Sequence, residues 1–576
     1  MRLHLLHGVE RSLTSYNILA RECLYALGVG IITALAAICF NYMIHLVQWL
    51  CNTMWPQAAW SIPLSVALGG LLVGLLLWWR AKDLNEGGIP GVITSVFAKG
   101  GIIPGRVALI RMVTAALTIG SGGSAGREGP IVQIGASLGS KFARVFKLSE
   151  HKTILLLACG IAAGISSAFN APVAGIFFAL EIILARFTYH AFGLVVVSSV
   201  TSCLLTRSIV GDLYEFTAPI YVMSHYAEMF LFAGLGLTAA FVGVFFTHFL
   251  AFTEDLFHRL NCPTWLKPAL GGLLCGCIAI PYPQIMGNGY DIIGAAVNGQ
   301  LAWELMFVLI LAKIVGTSLT LGSGGAGGAL APSLFIGCML GGVYGALVNA
   351  VFPAGAVSSG GAYALIGMAT VFAAAARAPL TAVFMIFEIT GDYYLLMPLL
   401  LAAVIAALAA QALDKDSIYT LKLSRSVIES QHGHNPLARI KVSEIIKSNF
   451  ISISPEASVA KLIEKFKETG FSLLAVANDE GRFYGLIDRR DIAYWRMRQN
   501  SSQDLQETLV KEIMRTDLGY VTPEDSLDTA VRTMGRCRVG CLPVLKSRTD
   551  AKLLAMLTRD EIFEAFIQNS GEAKDF

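Results

Sequence analysis

The chain has 576 residues, 55% of them apolar and 14% charged, with a formal net charge of +3. A mean hydropathy of +0.63 is too high for a soluble globule, which sets aside a soluble enzyme. The charge offers nothing to a nucleic acid, and the eleven cysteines lack metal-ligand spacing, so no metal is expected; Cys275 and Cys277 read as helix packing.

Taken in order, the chain begins with Arg2, Arg11 and Arg21 ahead of its first apolar run, with no small-residue cleavage site. That pattern reads as a cytoplasmic start and not as a cleaved signal peptide. Apolar segments follow at about 24–50, 62–80, 104–120, 129–140, 151–165, 172–190 and 194–210. A second set runs through 228–258, 265–280, 303–320, 332–351, 362–376, 378–392 and 395–413. A polytopic helical membrane protein is expected. Several segments are too short to cross a hydrocarbon core of ~30 Å. Short segments interrupted by glycine and proline mark the discontinuous helices of transporters.

Two of the interruptions carry polar chemistry. NEGGIPGV (Asn85 to Val92) follows the second span, with Pro90 marking a helix start. SGGSAGREGPIVQIG (Ser121 to Gly135) sets Arg127 and Glu128 in glycine-rich backbone, with Pro130 in the first turn of the helix that follows. Ionisable residues at membrane depth are functional candidates, and glycine-rich backbone there must line a cavity or be covered by protein. The free N–H groups at such a helix start favour an anion. The alternative is a structural Arg–Glu pair at a helix start.

The chain also repeats itself. ALGGLLVG at Ala67 returns as ALGGLLCG at Ala269, and SGGSAGREGPIVQIGASLG at Ser121 as SGGAGGALAPSLFIGCMLG at Ser323, both offset by 202 positions. APVAGIFFALEI at Ala171 returns as APLTAVFMIFEI at Ala378, offset by 207. Lys141, Arg144, Lys147 and Lys152 follow the first glycine helix, whereas the matching stretch from Gly341 to Ala362 is uncharged. Opposite charge bias puts equivalent loops on opposite membrane faces, so the repeats are expected to be inverted, with their glycine loops meeting near the midplane. GGALAP (Gly327 to Pro332) has no side-chain ligand and offers only backbone N–H. Backbone donors, helix ends and one carboxylate suit a small monovalent anion.

Together, GREGP at Gly126, GGALAP at Gly327, GGIP at Gly87 and SIYTLKL at Ser417 resemble the CLC family of chloride channels and chloride/proton exchangers. The resemblance runs in order over roughly residues 20 to 427. It implies an all-α fold of inverted repeats with broken helices, over residues 1–430. It also implies a homodimer in a bacterial inner membrane, both termini cytoplasmic, with one anion path per subunit. Glu128 matches the family's external gating glutamate, and Tyr419 the tyrosine that binds the central anion. Gly87, Gly88, Ile89 and Pro90, then Arg127, Glu128 and Gly129, then Ala329, Leu330 and Ala331 match its anion-coordinating backbone. For Tyr419 the bland reading is an interfacial aromatic.

Three departures bear on function. Gly87 stands where the family commonly has a serine, which removes a hydroxyl and bears on chloride-over-nitrate selectivity. Ile182 stands where many exchangers carry an inner proton-relaying glutamate. Its neighbour Glu181 has a repeat counterpart in Glu388, which favours a structural role. Ala329 and Leu330 replace the bulkier isoleucine and phenylalanine, so the path's width is in question. The reading is chloride/proton antiport gated by Glu128, and the alternative is a passive voltage- or pH-gated chloride channel lacking coupling because of Ile182. An unrelated transporter sharing only inverted repeats is disfavoured by the joint occurrence of GREGP and SIYTLKL.

From residue 431 to 576 the chain is charged and without spans, a cytosolic tail. Two stretches, at about 441–497 and 510–569, alternate helix and strand patterns in the same order and resemble a tandem pair of α/β CBS domains. Such pairs often bind an adenine nucleotide through a hydroxyl and an acid, and Asp491, Thr558 and Glu561 fall at those positions. Asp488 replaces the first module's hydroxyl and would repel phosphate. A purely structural or dimerising tail is the alternative. No other cofactor is implied.

Overall fold

In the computed structural model the chain divides into two units, Met1–Ser424 and Arg425–Phe576. The structure describes residues 2–54, 60–79, 87–211 except 186, 219, 221, 225–421 except 354 and 355, and, with interruptions, 437–565. Asn85, Glu86 and the expected domain boundary at 430/431 lie outside the described residues.

Among its described residues the first unit is built of helices and holds no named strand. Its first half comprises α1 (Arg2–Met54), α2 (Ser61–Trp79), α3 (Gly88–Ala98), α4 (Arg106–Gly120), α5 (Glu128–Val145), α6 (Glu150–Phe169), α7 (Pro172–Phe178) and α8 (Tyr189–Val210). A six-residue π-turn, Ala179–Leu184, extends α7 and ends at Ala185 in the left-handed region. The second half comprises α9 (Glu228–Arg259), α10 (Lys267–Ala279), α11 (Tyr290–Val297), α12 (Trp303–Gly322), α13 (Leu330–Val351), α14 (Gly360–Ala376), α15 (Pro379–Thr390) and α16 (Leu396–Leu413). Eight helices among the described residues are long and apolar enough to cross a membrane. Thirteen of the fourteen expected segments each correspond to one of the sixteen helices, while 172–190 joins α7, the π-turn and the start of α8; α3 and α11 are short helices that hydropathy alone did not mark.

The repeats are inverted. α2 and α10 are equivalent by the 202-residue offset, and they pack antiparallel. A Cβ built on Gly276 would meet Pro63, on Gly272 Val66, on Gly70 Pro268 and on Gly74 Trp265. Both helices have small residues at this contact, which lets their backbones approach closely where lipid supplies no hydrophobic drive. The same device recurs within each half. A Cβ on Gly135 would lie 2.2 Å from the Gly160 carbonyl, and one on the equivalent Gly337 2.3 Å from that of Gly367. These crossings bury α6 and α14, whose small apolar residues form the centre of the unit.

At the centre the two glycine loops join. Gly126 N–H donates to the Gly328 carbonyl and Gly328 N–H to that of Gly126, both at 2.8 Å, as an antiparallel bridge. The two glycines are themselves repeat equivalents, so the pseudo-two-fold axis passes between them.

The second unit holds two modules. In the first, β1 (Ser452–Ile453) lies parallel to β2 (Leu473–Ala477), which pairs antiparallel with β3 (Phe483–Asp488). In the second, β4 (Cys541–Leu545) pairs antiparallel with β5 (Leu553–Thr558). An amphipathic helix backs each sheet: α17 (Val459–Thr469) buries Val459, Leu462 and Phe466, and α18 (Leu527–Cys537) buries Leu527, Ala530 and Met534. Ala475, Leu486, Leu545 and Leu553 form a core shared by the two sheets.

Candidate functional site

Glu128 is the first residue of α5 and is fully buried. Its side chain folds back over Gly126, where an added Cβ would lie 2.2 Å from Oε2. The Tyr290 hydroxyl donates to Oε1 at 2.7 Å, and the Ala331 N–H approaches Oε2 at 3.4 Å. Tyr290 opens α11 and Ala331 lies in the first turn of α13, so three helix starts converge on one carboxylate. The starts of α5 and α13 bring backbone N–H groups and the positive ends of their dipoles, which stabilise a negative charge there, and α11 brings the Tyr290 hydroxyl.

Around this point the expected loop residues occupy distinct positions. Arg127 turns its guanidinium outward, donating to the Ala168 carbonyl at 2.9 Å and to Asn41 Oδ1 at 3.3 Å, 5.6 Å from the centre of the Tyr290 ring. Gly129 packs against Gly328, where a Cβ would meet Cα at 2.8 Å. Ala329 caps α13, with Leu330 and Ala331 buried behind it.

The Gly87–Pro90 stretch caps and begins α3. Gly88 has φ +76°, in the left-handed region that favours glycine. Its N–H is already occupied, donating to Gln133 Oε1 of α5 at 3.0 Å. Pro90 has no N–H, so Gly87 and Ile89 are the backbone donors this loop can offer a ligand. A Cβ on Gly87 would lie 2.3 Å from Nη2 of Arg111. The absent side chain's room is therefore filled by a cation from α4.

Tyr419 is buried and its hydroxyl has no hydrogen-bond partner among the described residues. An orphaned buried hydroxyl costs about 1–3 kcal/mol, which makes it a ready donor for a ligand. Ser417 and Thr420 hold its backbone in a tight turn, and the Ile418 N–H ties the turn to the Ala375 carbonyl at the end of α14.

Ile182 lies in the π-turn, partly buried among apolar neighbours. Glu181 beside it accepts from the N–H groups of Leu380 at 3.2 Å and Thr381 at 2.8 Å, and from the Thr381 hydroxyl at 2.7 Å.

Three residues of the site were missed from the sequence. Tyr290 comes from a stretch that no expected span covers, and the two cations Arg111 and Lys313 lie inside the spans expected at 104–120 and 303–320. Lys313 is fully buried, donates to the carbonyls of Ile285 at 2.8 Å and Gly287 at 2.9 Å, and lies 4.9 Å from the Phe335 ring centre. The 202-residue offset was the signal that could have found them: it pairs Arg111 with Lys313 and Gly88 with Tyr290. Each cation faces the glycine turn that opens its own repeat's short helix.

A cavity of about 1730 Å³ reaches Arg127 and Tyr290, lined also by Asn41, Ser167, Phe169 and Asn288. It opens among the C-terminal ends of α1, α6 and α8. The N-terminal ends of α6 and α8 meet α1 at Glu22, which pairs with Lys152 at 2.8 Å and with His190 at 2.7 Å.

In the second unit, Asp491 accepts from Asp488 N–H at 2.8 Å and from Arg515 Nε at 2.8 Å. Thr558 and Glu561 form a reciprocal turn: the Thr558 N–H and hydroxyl each donate to Glu561 Oε2 at 2.9 Å. Among the described residues no cluster could hold a metal ion.

Comparison with known proteins agrees with this architecture. The family model described as "voltage gated chloride channel" matches residues 79–411, and the CBS domain model matches 442–498 and 510–568. The voltage-gated ClC-type chloride channel ClcB of Salmonella typhimurium is 32% identical over 411 residues, 69% of this chain and 98% of that one. The H(+)/Cl(−) exchange transporter ClcA of Yersinia pestis is 31% identical over 426 residues, 70% of this chain and 87% of that one. A crystal structure of a slow cyanobacterial Cl−/H+ antiporter superposes with a TM-score of 0.64 at 27% identity, covering 71% of this chain and 99% of that one. The inverted repeats, the two glycine loops joined at their axis and the paired α/β modules thus come together in one assignment: the chain is a multi-pass membrane protein of the CLC family, carrying two C-terminal CBS domains.

Proposed function

We propose that this protein exchanges chloride, or a similar small monovalent anion, for protons across a membrane, through a path gated by Glu128. One observation carries the reading: a fully buried carboxylate held at three converging helix starts. That environment is built for an anion, and the ionised side chain is itself the anion that fills it. Protonation removes the charge those helix ends favour, and an arriving chloride takes the carboxylate's place. Desolvation favours the neutral acid while the helix ends favour the ion, so proton and chloride compete for one position.

On this reading the Tyr419 hydroxyl and the N–H groups of Gly87 and Ile89 hold an anion further inward, and the backbone from Ala329 to Ala331 holds it beside the gate. The cavity that reaches Arg127 and Tyr290 is the extracellular vestibule of this path. The basic edge near Glu22, Lys141 and Lys152 is cytoplasmic, in accord with the positive-inside rule, in a bacterial inner membrane with both termini inside. Each subunit of a homodimer carries its own path.

The second reading, a passive chloride channel, is favoured by Ile182 and by the engagement of Glu181 with α15, which leave no side-chain carboxylate on offer at that position. Purified protein in a planar bilayer separates the two. An antiporter's reversal potential follows both a chloride and a pH gradient, whereas a channel's follows chloride alone.

For the CBS pair we propose that Asp491, Thr558 and Glu561 act in local turns and in joining the modules, and that no adenine nucleotide is needed for the fold. Titration calorimetry with ATP tests this, and micromolar binding would return these residues to a nucleotide pocket.

A further inference from the structure

We propose that Tyr290 is the latch of the Glu128 gate: its hydroxyl holds the carboxylate closed, and its ring separates that carboxylate from the outer vestibule. The proposal rests on the gating role of Glu128.

The latch belongs to the opposite repeat from the gate. Gly289, at φ +82°, turns the chain sharply into α11 and delivers Tyr290 to the crossing as the first residue of that helix. The ring is fixed on both sides. Phe169 packs against it edge-on at 6.2 Å between centres, and the Arg127 guanidinium lies 5.6 Å from its centre. Only 7% of Tyr290 is exposed, yet it and Arg127 line the vestibule while Glu128 lies fully buried behind them. A hydroxyl held this way is pre-organised, so its 2.7 Å bond to Oε1 costs little further ordering. Hydrogen bonds to a charged acceptor are about twice as strong as neutral ones. The bond therefore stabilises the ionised, closed carboxylate more than the protonated, open acid.

The charged and titratable groups facing Glu128 are few. Arg127 stands beside it in sequence. Lys313 on α12 and Tyr419 lie within electrostatic reach. Asp291, next to Tyr290, opens to the vestibule. α13 presents backbone N–H only. Of these groups, Tyr290 bonds the carboxylate directly at normal hydrogen-bond length.

Tyr290→Phe removes the hydroxyl and keeps the ring, with its contacts to Phe169 and Arg127. Anion flux from proteoliposomes is measured against external pH for wild type, Tyr290→Phe, Glu128→Gln and the double variant. In Tyr290→Phe the half-maximal pH is expected to rise by about one unit, a tenfold change in proton concentration, because less acid suffices to open a gate with one bond fewer. In the Glu128→Gln background the same substitution is expected to change nothing. Gly126→Ala offers a second route, since its methyl group meets Oε2 and pushes the carboxylate off the latch, and it should raise the half-maximal pH likewise. An unshifted profile in Tyr290→Phe overturns the latch. So does a shift that persists without Glu128, which would place the effect in the vestibule. A Glu128→Gln variant with wild-type pH dependence is the separate failure, of the gate itself.

Discussion

Glu181 and Glu388 are exchanged across the pseudo-two-fold axis, each carboxylate capping the first turn of the helix that carries the other. Glu388, near the end of α15, accepts from Val173 N–H at 2.9 Å and Ala174 N–H at 2.8 Å at the start of α7. Glu181, beyond the end of α7, does the same for Leu380 and Thr381 at the start of α15. Between them the rings of Phe177 and Phe384 stack 4.7 Å apart, 5° from parallel. Both helices begin with proline, so the second and third residues of each hold the exposed N–H groups, and there the carboxylates arrive.

A structural role follows for this pair. Glu181→Ala strips two backbone donors and one hydroxyl of their acceptor, and each buried orphan costs about 1–3 kcal/mol. The expected result is a lowered thermal midpoint in detergent, with an unchanged proton-to-chloride ratio in whatever protein survives. A changed ratio at wild-type stability would instead make Glu181 a proton carrier.

Gly87 is not simply a serine position left empty. Arg111 occupies the space, with Nη2 2.3 Å from where a Cβ would start. In Gly87→Ser the flexible end of Arg111 moves aside, and the new hydroxyl is expected to raise chloride-over-nitrate preference a few-fold. Arg111→Met removes the neighbouring cation and should weaken anion binding about tenfold, read by calorimetry. Unaltered permeability ratios in Gly87→Ser would put selectivity elsewhere, and unaltered binding in Arg111→Met would show that this cation only packs.

Ile182 decides how protons arrive. An ionisable group in a dry membrane interior costs about 2.5–3.5 kcal/mol on insertion scales. Ile182 is partly buried among apolar side chains, so Ile182→Glu is expected to lower expression. If wild-type liposomes take up protons against a chloride gradient, water already bridges this stretch and the substitution adds little coupling. If the wild type only leaks, Ile182→Glu is expected to gain coupling. A leak that persists in folded Ile182→Glu protein would rule out a side-chain relay here.

In the tail, Asp491 joins the modules through Arg515 while also closing its own turn with Asp488. Arg515 N–H and carbonyl pair with Leu486 in the first sheet, so the ion pair reinforces a backbone junction. Asp491→Asn is expected to destabilise the full-length protein's tail by about 1 kcal/mol, since the partner is half exposed and screened by water. Limited proteolysis between residues 490 and 510 is the readout. Unchanged cleavage would leave the junction to the backbone bonds.

What the sequence determined on its own was whatever is local or repeated. Apolar runs set the spans, glycine and proline set their interruptions, and the offset of 202 residues exposed the duplication. Glu128 stood out because a carboxylate in apolar sequence has few bland explanations. Only the tertiary structure decided what that carboxylate touches. Tyr290 lies 162 residues away, in a helix too short for hydropathy to mark, and Gln133 takes the Gly88 N–H from 45 residues along the chain. Arg111 and Lys313 lie within apolar helices, and only folding set them against glycine turns. For Tyr290 the physical reason is the inverted duplication, which writes the two halves of the gate in separate stretches that meet only where helix starts of both repeats converge on the axis. For Gln133, Arg111 and Lys313 it is the packing of helices within one repeat, which sets each against a glycine turn distant from it in sequence.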